Sequence, residues 1–432
     1  MEQLFDYLDW RGDLTIDASP LNQVDHGILS ALVYAHFEAI APEDYGKTLA
    51  QLLAKYGDAV HQPDNTEFRK NHNLLWDRLA GYPRFADVRL ANFAARTNET
   101  DAEGPDVQFG AATFIFPRKK ADGTDAEPVV VVSFRGTDTS IAGWREDVAM
   151  GHEEEVPAQR YAVDYLDVET SRYPLVQVNG HSKGGNLALY AAAFCSRQGA
   201  VGDIWNFDGP GLTDVALATT GWRRVEGRVH TLVPESSVFG MIMGTGQPRE
   251  VINAEGVGFA QHSIFNWEVR GTVFVQGAEL SAYSKAMSRG LADYLGSTSV
   301  EERRFFADAL FKLVDSGDVP RSGDLLPNLV KALPSIRKNG GLYTEEEKAA
   351  LKTFVGTLAK GGVDGLGLPE ISLPDITLPE IPLLEKLKAG IRKDEAAEAA
   401  DETAEAADIP EATEAAAGKG PEVPAADGKP RE

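Results

Sequence analysis

The chain has 432 residues, of which 43% are hydrophobic and 25% are charged, as is usual for soluble globular proteins. Its formal net charge of -24 at pH 7 argues against a nucleic-acid partner and against electrostatic docking on anionic lipid. The single cysteine, Cys195, excludes an intrachain disulfide and a multi-cysteine metal site. We expect Cys195 to be a buried small hydrophobic residue.

The N-terminal segment is acidic and has no positive region followed by an apolar stretch, so we do not expect a signal peptide. No run of about eighteen apolar residues occurs along the chain, which predicts no membrane-spanning helix. A cytoplasmic location is therefore the default prediction.

Residues 1–80 are predicted to be mainly helical. Residues 22–37 have apolar side chains at helical spacing, and residues 43–56 and 66–79 give two further helices. We expect this N-terminal part to precede a β-sheet or to cover part of it.

Apolar and β-branched runs predict the sheet. Residues 107–116 form a predicted strand that a hairpin joins to residues 129–134. The second of these runs is continuously apolar, as in a central strand covered on both faces. Strands and helices then alternate, which predicts an α/β fold with a mostly parallel central sheet and flanking helices. The further strands are predicted at 88–93, 175–178, 203–207, 228–234 and 269–275, with helices at 158–171 and 280–295.

The chain changes character near residue 299. Capping boxes at Ser299 and Thr344 predict two helices, so residues 296–362 are predicted to form a helical extension. Residues 363–432 are rich first in proline and then in alanine and acidic residues, and we expect them to be disordered. The alternative role for this acidic tail is recruitment of a protein partner.

The segment from residue 174 to 195 predicts a strand, a sharp turn and a helix, with Ser182 at the turn. Gly180 and Gly184 leave room for the strained backbone that such a turn needs. The N-terminus of the following helix favours developing negative charge near the serine hydroxyl. The segment therefore predicts a nucleophile, although a glycine-rich turn without chemistry is the alternative.

A serine nucleophile needs a general base and an acid that orients the base. His230 lies within a predicted strand, whereas His262 lies in a polar loop, so we expect His262 to be the base. The acid should follow a strand end between the serine and the base. Glu235 is our first choice, and Asp208 is the alternative. Asp208 ranks second because the Gly-Pro-Gly that follows it suggests an aspartate that forms a turn.

An oxyanion hole needs two N–H donors. We expect one from Lys183, directly after the serine, and one from Thr137, which follows the central strand. Arg135 is expected to form a structural ion pair with Asp138 or Asp147. Neither a metal nor a cofactor is required by this chemistry.

Two motifs resemble those of class 3 (fungal-type) triglyceride lipases. The run VVSFRGT at 131–137, followed by Trp144 and Asp147, resembles their F-R-G-[ST]…W…D segment. The run GHSKGG at 180–185 resembles their G-H-S-x-G-G turn. A second resemblance, over roughly residues 1–295, is to a bacterial lipase-like family of unknown function. It is based on the runs LFDYLDWRGDLT at 4–15, NQVDHGILSALVYAHF at 22–37 and NFDGPG at 206–211, and on the Gln-His pair at 261–262.

The resemblance implies an α/β-hydrolase fold with Ser182 as nucleophile, His262 as base, and Thr137 and Lys183 at the oxyanion hole. Lys183 stands where these lipases usually have leucine, and Glu235 follows a Val-Pro pair that the lipase aspartate precedes. The expected substrate is an acyl ester or a lipid-like small molecule, cleaved through an acyl-enzyme. The alternative is a catalytically inactive binding module on the same fold.

Overall fold

The computed structural model describes residues 1–62, 67–98, 107–137, 141–151, 153–256, 258–277, 279–315 and 342–360. The strands are β1 (Arg89–Asn98), β2 (Val107–Lys119), β3 (Asp125–Phe134), β4 (Val176–His181), β5 (Val201–Phe207), β6 (Val229–Pro234), β7 (Arg249–Ile252), β8 (Val269–Arg270) and β9 (Val273–Phe274). The helices are α1 (Leu4–Arg11), α2 (Gln23–Leu32), α3 (Leu49–Tyr56), α4 (Glu67–Leu79), α5 (Pro83–Ala86), α6 (Ile141–Ala149), α7 (Pro157–Arg172), α8 (Lys183–Phe194), α9 (Asp214–Leu217), α10 (Thr220–Val225), α11 (Ala282–Ser297), α12 (Val300–Asp315) and α13 (Glu345–Lys360).

The main sheet contains strands β1 to β7, which lie side by side in chain order. The pairs β1–β2 and β2–β3 are antiparallel, and every pair from β3 to β7 is parallel. Helices connect β3 to β4, β4 to β5 and β5 to β6, as parallel crossovers require. The predicted α/β fold with a mostly parallel sheet is confirmed.

At the far edge of the sheet, one predicted strand is wrong and one observed strand was not predicted. The predicted strand at 269–275 is a separate two-stranded hairpin, β8–β9, because the chain turns at Gly271 with φ 64°. The seventh strand of the main sheet is instead β7, which the sequence does not indicate. It is four residues long and contains Arg249 and Glu250, so it lacks a clear apolar run.

Apolar side chains alternate between the two faces of the sheet, as the pleat of a strand requires. In β3, Val130 and Val132 face a core formed with α7 and α8, whereas Val131 faces a core formed with the N-terminal helices. This confirms the prediction of a central strand covered on both faces. Cys195 is buried in the first of these cores, and burial raises the pKa of its thiol to about 11.

A buried ion pair fixes the N-terminal helices to one another. Arg84 Nε donates to Asp25 Oδ1 at 2.6 Å, and both side chains are fully buried. The Tyr7 hydroxyl also donates to Asp25, and three carbonyl groups of the α1–α2 loop accept from Arg84. Loss of one partner of such a pair typically costs about 3–5 kcal/mol, because the other charge remains buried.

The helices α11, α12 and α13 share one apolar cluster, in which the rings of Phe306 and Phe354 stack at 4.2 Å. The capping boxes at Ser299 and Thr344 are confirmed, since each backbone N–H donates to the glutamate three residues later. The predicted tail at 363–432 lies outside the described residues. Within the described ranges, no helix is long and apolar enough to cross a membrane.

His26 connects the N-terminal helices to the strand that precedes Ser182. Its Nε2 donates to Gln177 Oε1 at 2.7 Å, and its Nδ1 accepts from the Asn179 side chain at 3.1 Å. Both partners belong to β4, and the His26 ring is almost fully buried. Burial lowers the pKa of His26 to about 4, an effect that the hydrogen bond to Gln177 only partly opposes.

The pH dependence of stability tests the burial of His26. Its pKa of about 4 in the folded chain lies below the value of about 6.5 for an unfolded histidine. The unfolded chain therefore binds the proton more tightly, and the folded chain loses stability as the pH falls through this window. The expected loss from His26 is about 2 kcal/mol at a pH of about 5. Urea unfolding above and below that window measures it, and His26→Asn should show a shallower dependence. An unchanged dependence in the variant would contradict the expectation.

Candidate active site

Ser182 lies at a sharp turn between β4 and α8, as predicted. Its φ of 57° and ψ of -133° place a non-glycine residue in a strained region of backbone space. A Cβ on Gly180 would lie 2.1 Å from the Gly184 carbonyl oxygen, and a Cβ on Gly184 would lie 2.1 Å from the Phe134 carbonyl oxygen. Only glycine fits at these two positions, so the glycines allow α8 to start directly against the sheet.

Chain segments after two neighbouring strands flank Ser182. Its N–H donates to the carbonyl oxygen of Phe207, the last residue of β5, at 3.0 Å. A Cβ on Gly136 would lie 3.2 Å from the Ser182 Cβ, and a Cβ on Gly209 would lie 2.3 Å from the Ser182 carbonyl oxygen. The serine is half-buried between the ends of β3 and β5.

His262 pairs with a buried carboxylate, that of Asp208. Its Nδ1 donates to Asp208 Oδ2 at 2.6 Å. The Asp208 side chain is fully buried, whereas the His262 side chain is 12% exposed. A carboxylate in this position fixes the orientation and the tautomer of the imidazole, and it stabilises the imidazolium that forms when the ring takes a proton.

Further donors satisfy the other oxygen of Asp208. Its Oδ1 accepts the Ser237 hydroxyl, and it also accepts the Gly240 N–H at 3.1 Å. Arg249 holds the same loop, because its guanidinium donates to the carbonyl oxygens of Gly240 and Met243 at 2.7 and 2.8 Å. Burial of a carboxylate is costly unless hydrogen-bond donors surround it, and the loop after β6 provides such donors.

Glu235, our first choice for the acid, is placed differently. Its N–H donates to the Ile252 carbonyl oxygen at 3.2 Å, and its carbonyl oxygen accepts the Ser281 N–H at 2.7 Å. The ring nitrogen Nδ1 of His262 faces Asp208 instead. The structure therefore brings together the predicted base and the alternative acid.

The glycine-rich segment after Asp208 does form the turn that its sequence suggests. The Asn206 side chain accepts the Gly209 N–H at 2.9 Å and donates to the Gly209 carbonyl oxygen at 3.1 Å. Asp208 itself has a positive φ of 49°. Turn formation and contact with His262 are thus compatible, since the turn directs the Asp208 side chain toward the imidazole.

His181, directly before the serine, supports the His262 loop. Its Nε2 donates to the His262 carbonyl oxygen at 2.7 Å, and the two rings lie 4.6 Å apart. Burial, and then the neighbouring His262 imidazole, holds the pKa of His181 well below its usual value. The Phe239 ring also lies 4.6 Å from the His262 ring.

The two expected oxyanion donors lie on either side of the turn. Lys183 is the first residue of α8, and Thr137 follows β3 with its hydroxyl donating to Asp147 Oδ2 at 2.5 Å. The Lys183 side chain is only 1% exposed, and its ammonium donates to Glu146 Oε2 at 3.0 Å and to the Gln108 carbonyl oxygen at 2.7 Å. The lysine is therefore held inside the protein rather than beside the serine hydroxyl.

Arg135 forms a structural ion pair, as expected, but its partner is different. Its Nη2 donates to Glu38 Oε1 at 2.7 Å, so the arginine connects the sheet to the N-terminal part of the chain. The expected partner Asp147 accepts the Thr137 hydroxyl, and the other expected partner, Asp138, lies outside the described residues. The sequence did not indicate Glu38 as a partner, because it lies 97 residues before Arg135 in the chain.

His230 is placed as expected for a residue of the sheet. Its ring stacks on Trp205 at 4.1 Å, and its Nε2 lies 3.3 Å from Asp203 Oδ1.

In the described part of the chain, one group of residues has potential metal-ligand atoms close together, namely Asp58, His61 and Asp77. The two carboxylates face opposite ring nitrogens of His61, at 3.8 and 2.7 Å, which is a pattern of ion pairs rather than of a metal site.

The residues that hold the candidate site in place are not evident from the sequence. Ser237, Gly240 and Arg249 support Asp208, while Gln108 and Glu146 bind Lys183. Polar residues at these positions follow no periodic pattern. The one available signal is Lys183 itself, since a lysine next to an Ala-rich apolar helix needs an acidic partner if it is buried.

No curated protein matches the sequence. The M37 lipase crystal structure is among the similar solved structures, with a TM-score of 0.31, 14% identity, and coverage of 64% of this chain and 81% of that chain. The model of the Mbeg1-like family matches residues 79–312, more than half of the chain, and this range includes Ser182, Asp208 and His262. The chain therefore belongs to the Mbeg1-like family, which is a lipase-like family.

Proposed function

We propose that this protein is a lipase-like serine hydrolase that cleaves a carboxylic ester through an acyl-enzyme. The observation that supports this most strongly is the 2.6 Å contact between His262 Nδ1 and the buried Asp208 carboxylate. Asp208 directly follows Phe207, and the Phe207 carbonyl oxygen accepts the N–H of Ser182. The backbone of Ser182 is itself strained. Strain and a buried charge both cost stability, and they are typical of sites where chemistry requires them.

In the first step, Ser182 Oγ attacks the carbonyl carbon of the ester. His262 Nε2 takes the serine proton, because Nδ1 is bound to Asp208. The carbonyl π bond breaks as the Oγ–C bond forms, and the carbonyl oxygen becomes an oxyanion. The backbone N–H groups of Lys183 and Thr137 would bind this oxyanion, with added support from the N-terminus of α8.

Collapse of the tetrahedral intermediate expels the alcohol. The imidazolium of His262 gives its proton to the leaving oxygen, which leaves an acyl group on Ser182 Oγ. A water molecule then attacks the acyl carbon while His262 removes its proton. The second tetrahedral intermediate releases the carboxylic acid and returns the proton to the serine, so the enzyme is regenerated.

Two features of the site favour an ester with an apolar acyl part. The departure from the lipase motif at Lys183 places no exposed charge beside the serine, because the ammonium is bound to Glu146 and Gln108. The Phe239 ring provides an apolar surface against His262. A lipid-like ester is therefore the substrate class that we propose.

A fluorophosphonate probe tests the nucleophile. We expect the probe to label Ser182 in the wild type, together with hydrolysis of a short-chain p-nitrophenyl ester. Ser182→Ala should abolish both, whereas Ser196→Ala, at an exposed serine after α8, should change neither. Mapping of the labelled peptide by mass spectrometry identifies the site. If the wild type shows neither labelling nor hydrolysis, the protein is a binding module on this fold and the proposed function is wrong.

A matched pair of amide substitutions tests the acid. Asp208→Asn should lower kcat by about 1,000- to 10,000-fold, because the amide favours the wrong imidazole tautomer. Glu235→Gln should leave kcat within about threefold of wild type, because the His262 ring faces Asp208. Circular dichroism verifies that both variants are folded. The reverse ranking of the two variants would assign the acid to Glu235.

A further inference from the structure

Two consecutive carboxylates of α6 hold the side chains of the two proposed oxyanion donors. Asp147 Oδ2 accepts the Thr137 hydroxyl at 2.5 Å, and Glu146 Oε2 accepts the Lys183 ammonium at 3.0 Å. These donors lie on opposite sides of the serine turn, one after β3 and one at the start of α8. A single helix therefore contacts both sides of the proposed hole.

The Lys183–Glu146 pair is shielded from water, and each of its charged atoms has a hydrogen-bond partner. The two side chains are 1% and 0% exposed. Glu146 Oε2 also accepts the Gln108 N–H at 3.0 Å, and Oε1 accepts the Ala158 N–H at 2.7 Å. Backbone donors of β2 and α7 thus fix the carboxylate, and the carboxylate fixes the lysine.

Gln108 extends this network to the other side of the hole. Its carbonyl oxygen accepts the Lys183 ammonium at 2.7 Å, and its side-chain Nε2 donates to the Gly136 carbonyl oxygen at 3.3 Å. Gly136 directly precedes Thr137, and Gln108 is fully buried. Gln108 therefore connects the Lys183 ammonium to the Gly136 carbonyl oxygen. That carbonyl belongs to the same peptide group as the Thr137 N–H.

We propose that Lys183 and Glu146 are positioning residues, which fix the distance between the Lys183 and Thr137 N–H groups of the oxyanion hole. This inference rests on the proposed hydrolase function. The pair acts through the backbone donors and does not touch the substrate. Its role is to hold the hole in its reactive geometry before the substrate binds.

The energetics favour a positioning role over a stabilising one. A buried ion pair usually gives no more stability than apolar side chains of similar volume, because removing two charges from water is costly. An apolar residue at position 183 would pack against the sheet without that cost. Directional bonds give geometric precision instead, and a displacement of about 1 Å in a catalytic site can cost about 100-fold in rate.

The test measures nucleophile labelling and ester hydrolysis in Lys183→Met, Glu146→Gln and the double variant. Each should lower both kcat and the second-order rate of fluorophosphonate labelling by about 10- to 100-fold, with KM changed by less than about threefold. Glu146→Gln is the mildest change, since its amide oxygen still accepts a backbone N–H, so this variant keeps the test informative if Lys183→Met does not fold. Thermal unfolding is recorded for every variant.

Asp25→Asn is the matched control, because it breaks a second fully buried ion pair among the N-terminal helices. It should lower the unfolding temperature while the labelling rate stays at the wild-type value. A wild-type rate in the double variant would overturn the proposal, since the pair would then only neutralise a buried charge. Equal rate losses in Asp25→Asn and Lys183→Met would also overturn it. Absence of labelling in the wild type would instead overturn the hydrolase function, and this inference with it.

Discussion

The contact between the buried Asp208 carboxylate and His262 is the interaction on which the carboxyl edge of the sheet depends. A carboxylate without exposure to water is costly unless donors surround it. Ser237, Gly240 and the His262 ring provide those donors, and Arg249 holds the loop to which the first two belong. The unpredicted strand β7 therefore has a clear role, because it brings Arg249 to this edge.

Backbone strain is concentrated around the same contact. Within the described ranges, three non-glycine residues have positive φ, namely Ser182, Asp208 and Met243. Ser182 and Asp208 follow neighbouring strands, and the Met243 carbonyl oxygen accepts a hydrogen bond from Arg249. Each such conformation costs on the order of 1–3 kcal/mol, so the surrounding packing must impose all three. The proposed nucleophile and acid are thus fixed on a rigid edge, while the base comes from a loop distant in sequence.

Local patterns in the sequence predicted most of the sheet and helices, because apolar periodicity and capping boxes act over a few residues. The same patterns failed for β7, where Arg249 and Glu250 interrupt the apolar run, and for 269–275, where Gly271 turns the chain. The acid was expected to follow a strand that ends between Ser182 and His262 in the sequence. Asp208 and Glu235 both meet this condition. The choice between them depends on which strand end faces His262, and that is set by tertiary packing. Similarly, the sequence identifies Lys183 as unusual but does not indicate that its ammonium is buried.

Side chains from the N-terminal part of the chain and from α11 contact residues that lie next to the candidate site. The family match begins at residue 79, yet His26 in α2 binds two side chains of β4, and the Tyr34 hydroxyl lies 3.4 Å from His181 Nδ1. On the C-terminal side, the Ser284 hydroxyl of α11 donates to the carbonyl oxygen of Ser237, whose own hydroxyl binds Asp208. Both contacts reach residues that adjoin the Asp208–His262 pair. The flanking helices therefore reach the candidate site from two sides, through His26 and Tyr34 on one side and Ser284 on the other. The Asp25–Arg84 pair, by contrast, joins the N-terminal helices to one another, and its side-chain hydrogen bonds reach none of these three residues.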